Sequence, residues 1–497
     1  MFSGDLVAER ARLTPDRLAL VSVETGARIT YRELEERVAA AARLVRQHVP
    51  AGGRYGILAF NCVEFLELFF AAGRIGCIAV PLSTRATAHE IRGIVADCAM
   101  SALFFGAEFA AHAAEVRDAL GDAQVTLPVD AVRPELGDYD SPEPRDEDIW
   151  CLLYTSGTTG KPKGVMIPRR QLFWNGYNTA VNWSLREEDV SSIYTPLYHA
   201  GGVAAFLIPI FTVGGTIVIH KGFEAAEVWR TIERERCTVV LGVPTIFKLL
   251  LDAPELATTD LTHVRWFISG GAPLPQYLID AYQQRGVVFK QGYGMTEVGV
   301  NCFSMTIAES FRKPGSIGRP MLFTAARLVD AEGHDVARGE IGELWLRGPH
   351  VSSGYWQQPE ATRIAFGDDG FLRTGDLARQ DDEGFFYIAG RRKEMFISGG
   401  VNVYPAEIEA ELVAHPDVSD AAIVPRHDDT WGEVAIAFVV IRTGARLREE
   451  ELSAYLAGRL AKYKLPRRYH FLDVLPRSPY GKVEKARLAE QFLQDQH

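Results

Sequence analysis

Tyr154-Thr155-Ser156-Gly157-Thr158-Thr159-Gly160-Lys161-Pro162-Lys163-Gly164 is the stretch that orders the rest of the chain. Glycine lets a backbone bend and lets its amides approach a ligand closely. Hydroxyls and successive amides donate to phosphate oxygens, and lysine adds opposite charge. The residues just before it, 150–154, read as a buried strand, so the loop leaves the edge of a sheet. The spacing of glycines and lysines is not that of the common phosphate-binding P-loop.

Working outward, the pattern is α/β. Thr30-Tyr31-Arg32-Glu33 fits a capping box. It opens an amphipathic helix with Leu34, Val38, Ala41, Ala42 and Val45 on one stripe. Strands are expected at 54–59 and 78–81, and helices at 63–73 and 88–98. Alternating strands and helices imply a mostly parallel sheet covered on both faces. Residues 128–148 are rich in Pro, Asp and Glu and read as an exposed connection. Beyond the loop the alternation resumes, with helices at 223–235, 244–251 and 273–284 and strands at 238–243, 264–269 and 287–291. Two of these strands run into glycine-bearing turns, Gly270-Gly271-Ala272-Pro273 and Gly292-Tyr293-Gly294. Ligands in open α/β sheets sit beyond the carboxyl ends of strands, so both turns should line one crevice with the 154–164 loop. From about 320 short strands suggest a small β-barrel or distorted sheet. After Arg391-Arg392-Lys393 a compact α+β segment follows. The expected division is residues 1–392, a large part of layered αβα sheets plus the small barrel, and residues 393–497, a small mobile α+β part.

Composition narrows the function classes. The chain has 497 residues and a net charge of −11, which argues against a general nucleic-acid binder. Cys62, Cys77, Cys98, Cys151, Cys237 and Cys302 are scattered, as expected of reduced core residues in a cytosolic protein. No signal peptide is seen at the start. The longest apolar region, 203–219, is broken by Pro209, Thr212, Gly214 and Gly215 and reads as helix, turn and strand rather than a membrane span. Peripheral membrane contact stays open, as does the choice between monomer and homodimer.

The 154–164 loop is followed in order by Gln291-Gly292-Tyr293-Gly294-Met295-Thr296-Glu297, Arg373-Thr374-Gly375-Asp376, Gly390-Arg391-Arg392-Lys393 and Pro479-Tyr480-Gly481-Lys482. Together these motifs, spread over nearly the whole chain, resemble the adenylate-forming superfamily. The segments 397–407 and 463–466 look most like its acyl-CoA synthetase branch, and within that branch like fatty-acyl-CoA synthetases. The resemblance implies a two-step reaction: a carboxylate attacks the α-phosphate of ATP, and the thiol of CoA then captures the acyl-adenylate and releases AMP. An anion attacking a polyanion needs preorganised positive charge.

The resemblance also assigns roles. Thr155, Ser156, Gly157, Thr158, Thr159, Gly160 and Lys161 hold the β- and γ-phosphates. Thr296 contacts phosphate and Glu297 meets Mg²⁺, a hard cation that takes few protein oxygens. Tyr293 stacks on adenine beside Gly271, Ala272, Pro273 and Gly294. Asp376 accepts from the ribose hydroxyls, and Arg391 reaches ribose or phosphate. Lys482 bridges carboxylate and α-phosphate in the first step only, because its small domain rotates about a hinge at Lys393. Gly399 and Gly400 then border a pantetheine tunnel, with Trp431, Tyr463 and Arg467 toward CoA. His199 orients or gates at the acyl pocket. That pocket draws on Phe206, Val240, Gly242, Val243, Gly270, Gly292, Val298, Gly299 and Val300. No Lys or Arg stands among these, which disfavours a second carboxylate on the acid. Medium or long aliphatic acids come first and aromatic acids second. A luciferase-like oxygenase and a non-catalytic nucleotide binder are the competing functions. Two departures stand out: Ile167-Pro168-Arg169-Arg170 lacks the histidine common there, and the hinge is Lys where many members have Asp.

Overall fold

A computed structural model describes residues 5–120, 125–131, 143, 145–155, 162–272, 274–478 and 482–492. Two mainly parallel sheets carry the first half of the chain. The six-stranded sheet runs Val125–Pro128, Ala102–Phe105, Arg54–Leu58, Ile78–Pro81, Ile149–Thr155 and Lys163–Pro168. The seven-stranded sheet runs Phe289–Gln291, Trp266–Ser269, Val239–Gly242, Val190–Ile193, Thr216–Ile219, Leu18–Ser22 and Arg28–Thr30.

Helices fill the space between the two sheets. The capping box at Thr30 and Glu33 is present and starts the Tyr31–His48 helix, whose Leu34, Val38, Ala41, Ala42 and Val45 are buried. It packs with Val63–Ile75 against one continuous core that includes Leu20 and Ile217 from one sheet and Tyr55 and Leu153 from the other. The 203–219 region is a π-helical turn, Val203–Leu207, then the Ile208–Val213 helix, a left-handed Gly214 and the Thr216–Ile219 strand. The π turn, which sequence periodicity does not announce, lies next to His199.

The 154–164 loop joins an antiparallel pair, because Ile149–Thr155 pairs with Lys163–Pro168. Residues 156–161 lie outside the described residues, as does most of the 128–148 connection. The Ile167-Pro168-Arg169-Arg170 departure has a structural explanation. Arg169 is buried, lies over the Trp150 ring at 5.2 Å and donates to the Gly73 carbonyl. Arg170 donates to the carbonyls of Pro349 and Val351. Both arginines therefore stitch the loop's return strand to its surroundings.

The strands expected near 320–390 form an open antiparallel sheet of Ala325–Val329, Ile341–Arg347, Leu372–Gln380 and Phe386–Arg391, so the distorted-sheet alternative describes them better than a closed barrel. A separate sheet follows, in which Gly432–Ile441 pairs with Val418–Asp428, Phe396–Ser398 and Arg468–Leu472. Helices Pro405–Val413 and Glu449–Ala457 cover one face, and Lys485–Phe492 packs on the other. All six cysteines are free thiols. Among the described residues no helix is long and apolar enough to cross a membrane.

Candidate active site

Three parallel strands end level with one another: Gly242 pairs with Ser269, and Ser269 with Gln291. Their carboxyl ends form the crevice that the glycine turns predicted. Gly271 has φ of +81°, a conformation that excludes most side chains, and it is exposed at the rim. Gly294 is required for a different reason. A Cβ there would lie 2.3 Å from the Val300 backbone, so the turn closes only around a glycine.

The turn leads into Thr296 and Glu297. The Thr296 carbonyl accepts from Gln171 Nε2 at 2.9 Å. Glu297 is almost buried, its carbonyl accepts from the Ser352 amide, and Tyr355 Oη donates to its Oε1 at 3.1 Å. Burial raises the Glu297 carboxyl above its usual range, opposed by its hydrogen bonds and by Arg391 and Lys482. Tyr355 belongs to a segment bridged to Val165, and the Lys163 ammonium lies 5.1 Å from its ring centre. Tyr355 thus joins Glu297 to the strand that carries the 154–164 loop, a role with no local sequence signal.

Asp376 is the meeting point of two other motifs. Tyr293 Oη donates to its Oδ2 at 2.6 Å, and Arg391 Nε lies 2.7 Å from its Oδ1. Cross-strand register places Asp376 opposite Arg391. Each carboxylate oxygen keeps a further lone pair for a ligand hydroxyl. The Tyr293 ring stands edge-on to Phe303, 5.5 Å between centroids.

Lys482 completes the group from the far end of the chain. Ser478 and Lys482 exchange hydrogen bonds and Arg477 bridges to Val483. Lys482 is exposed to solvent, with Arg391, Asp376, Glu297 and Lys393 near enough to act on its charge. Desolvation, then Arg391 and Lys393, hold its ammonium below lysine's ordinary range, opposed by Asp376 and Glu297. His199 is close enough to feel it. Burial first, then Lys482 and Arg85, push the His199 imidazole down to about 4, so it is neutral at pH 7.

The acyl-pocket residues are brought together only in part. A Cβ on Gly270 would touch nothing, and one on Gly292 would meet Ile268 Cδ1 at 3.3 Å. These two glycines open onto a floor made by Ile268. Val240 instead faces the opposite side of the sheet, packed with Phe247, Leu250 and Phe267. Strand alternation turns it away and gives the inner face to Leu241. Val298 is fully buried with Cys302, Phe303 and Leu344. Gly242 is closed off by Phe247, and Gly299 by Asn175 and the His350 carbonyl. Val243 caps the Pro244–Asp252 helix, and Val300 packs at the edge of the main core. Phe206 lies behind the floor rather than in it, against Trp183 and Trp266.

Gly399, Trp431 and Arg467 form a second cluster. Gly399 donates to the Trp431 carbonyl at 2.8 Å, and Arg467 lies over the Trp431 ring at 5.5 Å. Gly399, Gly400 and Arg467 face solvent, while Tyr463 packs into the core of its own sheet. Lys393 is exposed in the turn between the strands ending at Arg391 and starting at Phe396. Thr155 ends its strand at the base of the loop. Ser156, Gly157, Thr158, Thr159, Gly160, Lys161 and Pro273 lie outside the described residues.

The AMP-binding enzyme model matches residues 7–356, and the AMP-binding enzyme C-terminal domain model matches residues 407–482. The chain belongs to the AMP-binding enzymes. It is 37% identical over 495 residues to feruloyl-CoA synthase of Amycolatopsis sp, covering 98% of this chain and 99% of that one. It is 36% identical over 499 residues to the long-chain-fatty-acid–CoA ligase FadD13 of Mycobacterium tuberculosis, 98% of each chain. Its fold is similar to that of o-succinylbenzoate CoA synthetase (MenE) from Bacillus subtilis in complex with ATP and magnesium ion, at TM-score 0.88 and 31% identity over 97% of this chain and 99% of that one. This AMP-binding enzyme is accordingly an AMP-forming acid–CoA ligase, with ATP and CoA as co-substrates and Mg²⁺ as cofactor. The protein side fits such a cation. Among the described residues no cluster of three His, Cys, Asp or Glu could hold a resident metal. A single carboxylate, Glu297, suits a Mg²⁺ that keeps its waters and its phosphate oxygens.

Proposed function

We propose that the ligase activates a compact acid, ring-bearing before long aliphatic, and that residues 393–497 move as a unit between its two half-reactions. The observation that carries the first part is the length of the crevice floor. Ile268 lies under the open glycines, and two residues deeper Trp266 is locked against Trp183 and Phe206, at 5.8 and 5.9 Å between centroids. Two strand residues span about 7 Å, room for one ring or a short chain before the aromatic block. Feruloyl-CoA synthase, at 37% identity, supports an aromatic acid. FadD13, at 36%, keeps the aliphatic alternative in view and with it fatty-acid metabolism.

The chemistry follows from charge placement. The carboxylate approaching the α-phosphate meets Lys482 and Arg391, while Asp376 holds the ribose and Tyr293 the adenine. Thr296 and the 155–161 loop take the phosphates, and Glu297 faces the Mg²⁺ that arrives with them. Neutral His199 borders the acyl carbon without adding a charge. With Lys482 in this position the Gly399–Trp431–Arg467 face is turned outward, so CoA capture needs rotation about Lys393. Thioester formation assayed across C2 to C18 acids, benzoates and cinnamates tests the acid class. The highest kcat/KM is expected among cinnamates or benzoates. A steady rise with aliphatic length to C16 would overturn the compact pocket.

A further inference from the structure

No Lys or Arg stands among the pocket residues read from the sequence, so none of them could meet a second polar group on the acid. The strand register supplies one that the loops do not. Lys290 lies opposite Ile268 in the parallel pairing, so the two side chains share a face of the sheet. That face is the crevice floor, and Lys290 stands two residues before Gly292. Its residue is only 6% exposed. The ammonium lies 4.9 Å from the centre of the Trp266 ring. Among the described residues no carboxylate stands within ion-pair distance of it and no acceptor takes its hydrogen bonds.

The charged groups around it are already engaged. Glu309, from the Ile307–Arg312 helix, accepts from the Thr306 amide and pairs with Arg319 at 2.8 Å. Arg265, at the start of the Trp266–Ser269 strand, pairs with Asp189 at 2.6 Å. An ammonium this deeply set, with only water to accept from it, is costly to keep. Its surroundings hold it down to about 8, through burial first, then Arg265, with Glu309 opposing. An oxygen acceptor delivered by the substrate would relieve that cost.

We infer that Lys290 is a specificity-determining residue that meets an oxygen acceptor, phenolic or carboxylate, at the end of the acid remote from the reacting carboxylate. This rests on the reading of the crevice as the acid pocket. It deepens that reading by stating what the far end of the acid carries. A methyl or methylene in the same place would strip the ammonium of water and return nothing, so plain hydrocarbon ends are disfavoured.

Two size-matched pairs test it: 4-hydroxycinnamate against 4-methylcinnamate, and octanedioate against octanoate. Each is titrated calorimetrically into the full chain and assayed for CoA thioester formation. Wild type is expected to favour the oxygen-bearing member in at least one pair by about tenfold or more, in both Kd and kcat/KM. Lys290→Met should bring that ratio close to one with the hydrocarbon member bound at least as tightly. Lys290→Arg should keep the preference. A ratio unchanged in Lys290→Met, or a wild type that favours the hydrocarbon member in both pairs, overturns the assignment. A failure of the compact-acid reading looks different: the octane skeleton would win over the cinnamates while the oxygen discrimination persisted.

Discussion

Asp376 is the residue on which the proposed nucleotide half of the site turns. Its two oxygens are held by different segments, Tyr293 on one side and Arg391 on the other. Tyr293→Phe removes one charge-assisted bond and keeps the ring. It should raise KM for ATP several-fold with little change in kcat, about 1–2 kcal/mol of binding measured by steady-state kinetics. A large fall in kcat with KM unchanged would place the phenol in the chemical step instead. Lys482 predicts the opposite pattern. Lys482→Ala should slow acid-dependent ATP–pyrophosphate exchange by about a hundredfold, the loss of roughly 2.7 kcal/mol of charge stabilisation. CoA capture of a supplied acyl-adenylate should suffer far less, and equal damage to both half-reactions would argue against a lysine used only once.

Lys290 adds a stability prediction of the same grain. In the unfolded chain a lysine titrates near 10.5, whereas here burial lowers it to about 8. Below pH 8 the folded protein carries the full cost of the buried charge, at most about 3 kcal/mol. Between 8 and 10.5 the unfolded chain binds more protons, so stability rises with pH until the cost is gone. Lys290→Met should therefore raise Tm by several degrees at pH 7 and by little at pH 10.5, read by scanning calorimetry. An equal gain at both pH values would mean that the group titrates normally in the fold.

At the scale of elements, local rules were legible wherever the chain's own neighbours decide the outcome. The capping box at Thr30 and the proline at the start of the Pro244–Asp252 helix appear as the sequence indicates. The apolar stripe from Leu34 to Val45 is buried as its spacing requires. Helix ends moved by a few residues, as at Gln276–Gln283, because caps form where hydrogen bonds close and not where apolar periodicity stops. What stayed hidden depends on which face a strand residue takes. Val240 was read as pocket wall, yet its alternation sends it into the opposite core. Lys290 carries no motif, although its register with Ile268 turns it to the crevice floor. Tyr355 and Gln171 reach Glu297 and Thr296 through contacts more than fifty residues away in sequence, which no motif encodes. Arg169 belongs to this scale as well. Arg169→Ala should cost about 2–3 kcal/mol through lost packing on Trp150 and the unpaired Gly73 carbonyl, visible in Tm and absent from KM for ATP.

At the scale of the whole molecule, the C-terminal sheet stands where Lys482 comes within reach of the charges on Arg391, Asp376 and Glu297. Between it and a helix of the seven-stranded sheet, the Arg442 guanidinium lies 4.9 Å from the ring centre of Tyr277, on the Gln276–Gln283 helix. Next to the proposed hinge, Arg392 donates to Glu343 at 2.8 Å and its amide to the Gly375 carbonyl. Arg442→Ala should lower the rate of adenylation several-fold while leaving or raising the rate of CoA capture, since about 1 kcal/mol of pose preference shifts a two-state balance by a factor of about five. Stopped-flow measurement of each half-reaction separates this from a general loss of stability, which would lower both.

Three positions after Lys482, Lys485 sits between Glu394 and Glu409, 2.8 Å from each. Glu394 adjoins Lys393, the proposed hinge. The proposed swivel and the cation it would deliver are thus tied together through the Lys485 ammonium, although ninety-one positions separate Lys485 from Glu394 along the chain. Trimming or blocking the last helix would then be felt first at the pivot, and a preparation clipped near its C-terminus would bind nucleotide normally yet misplace its timing.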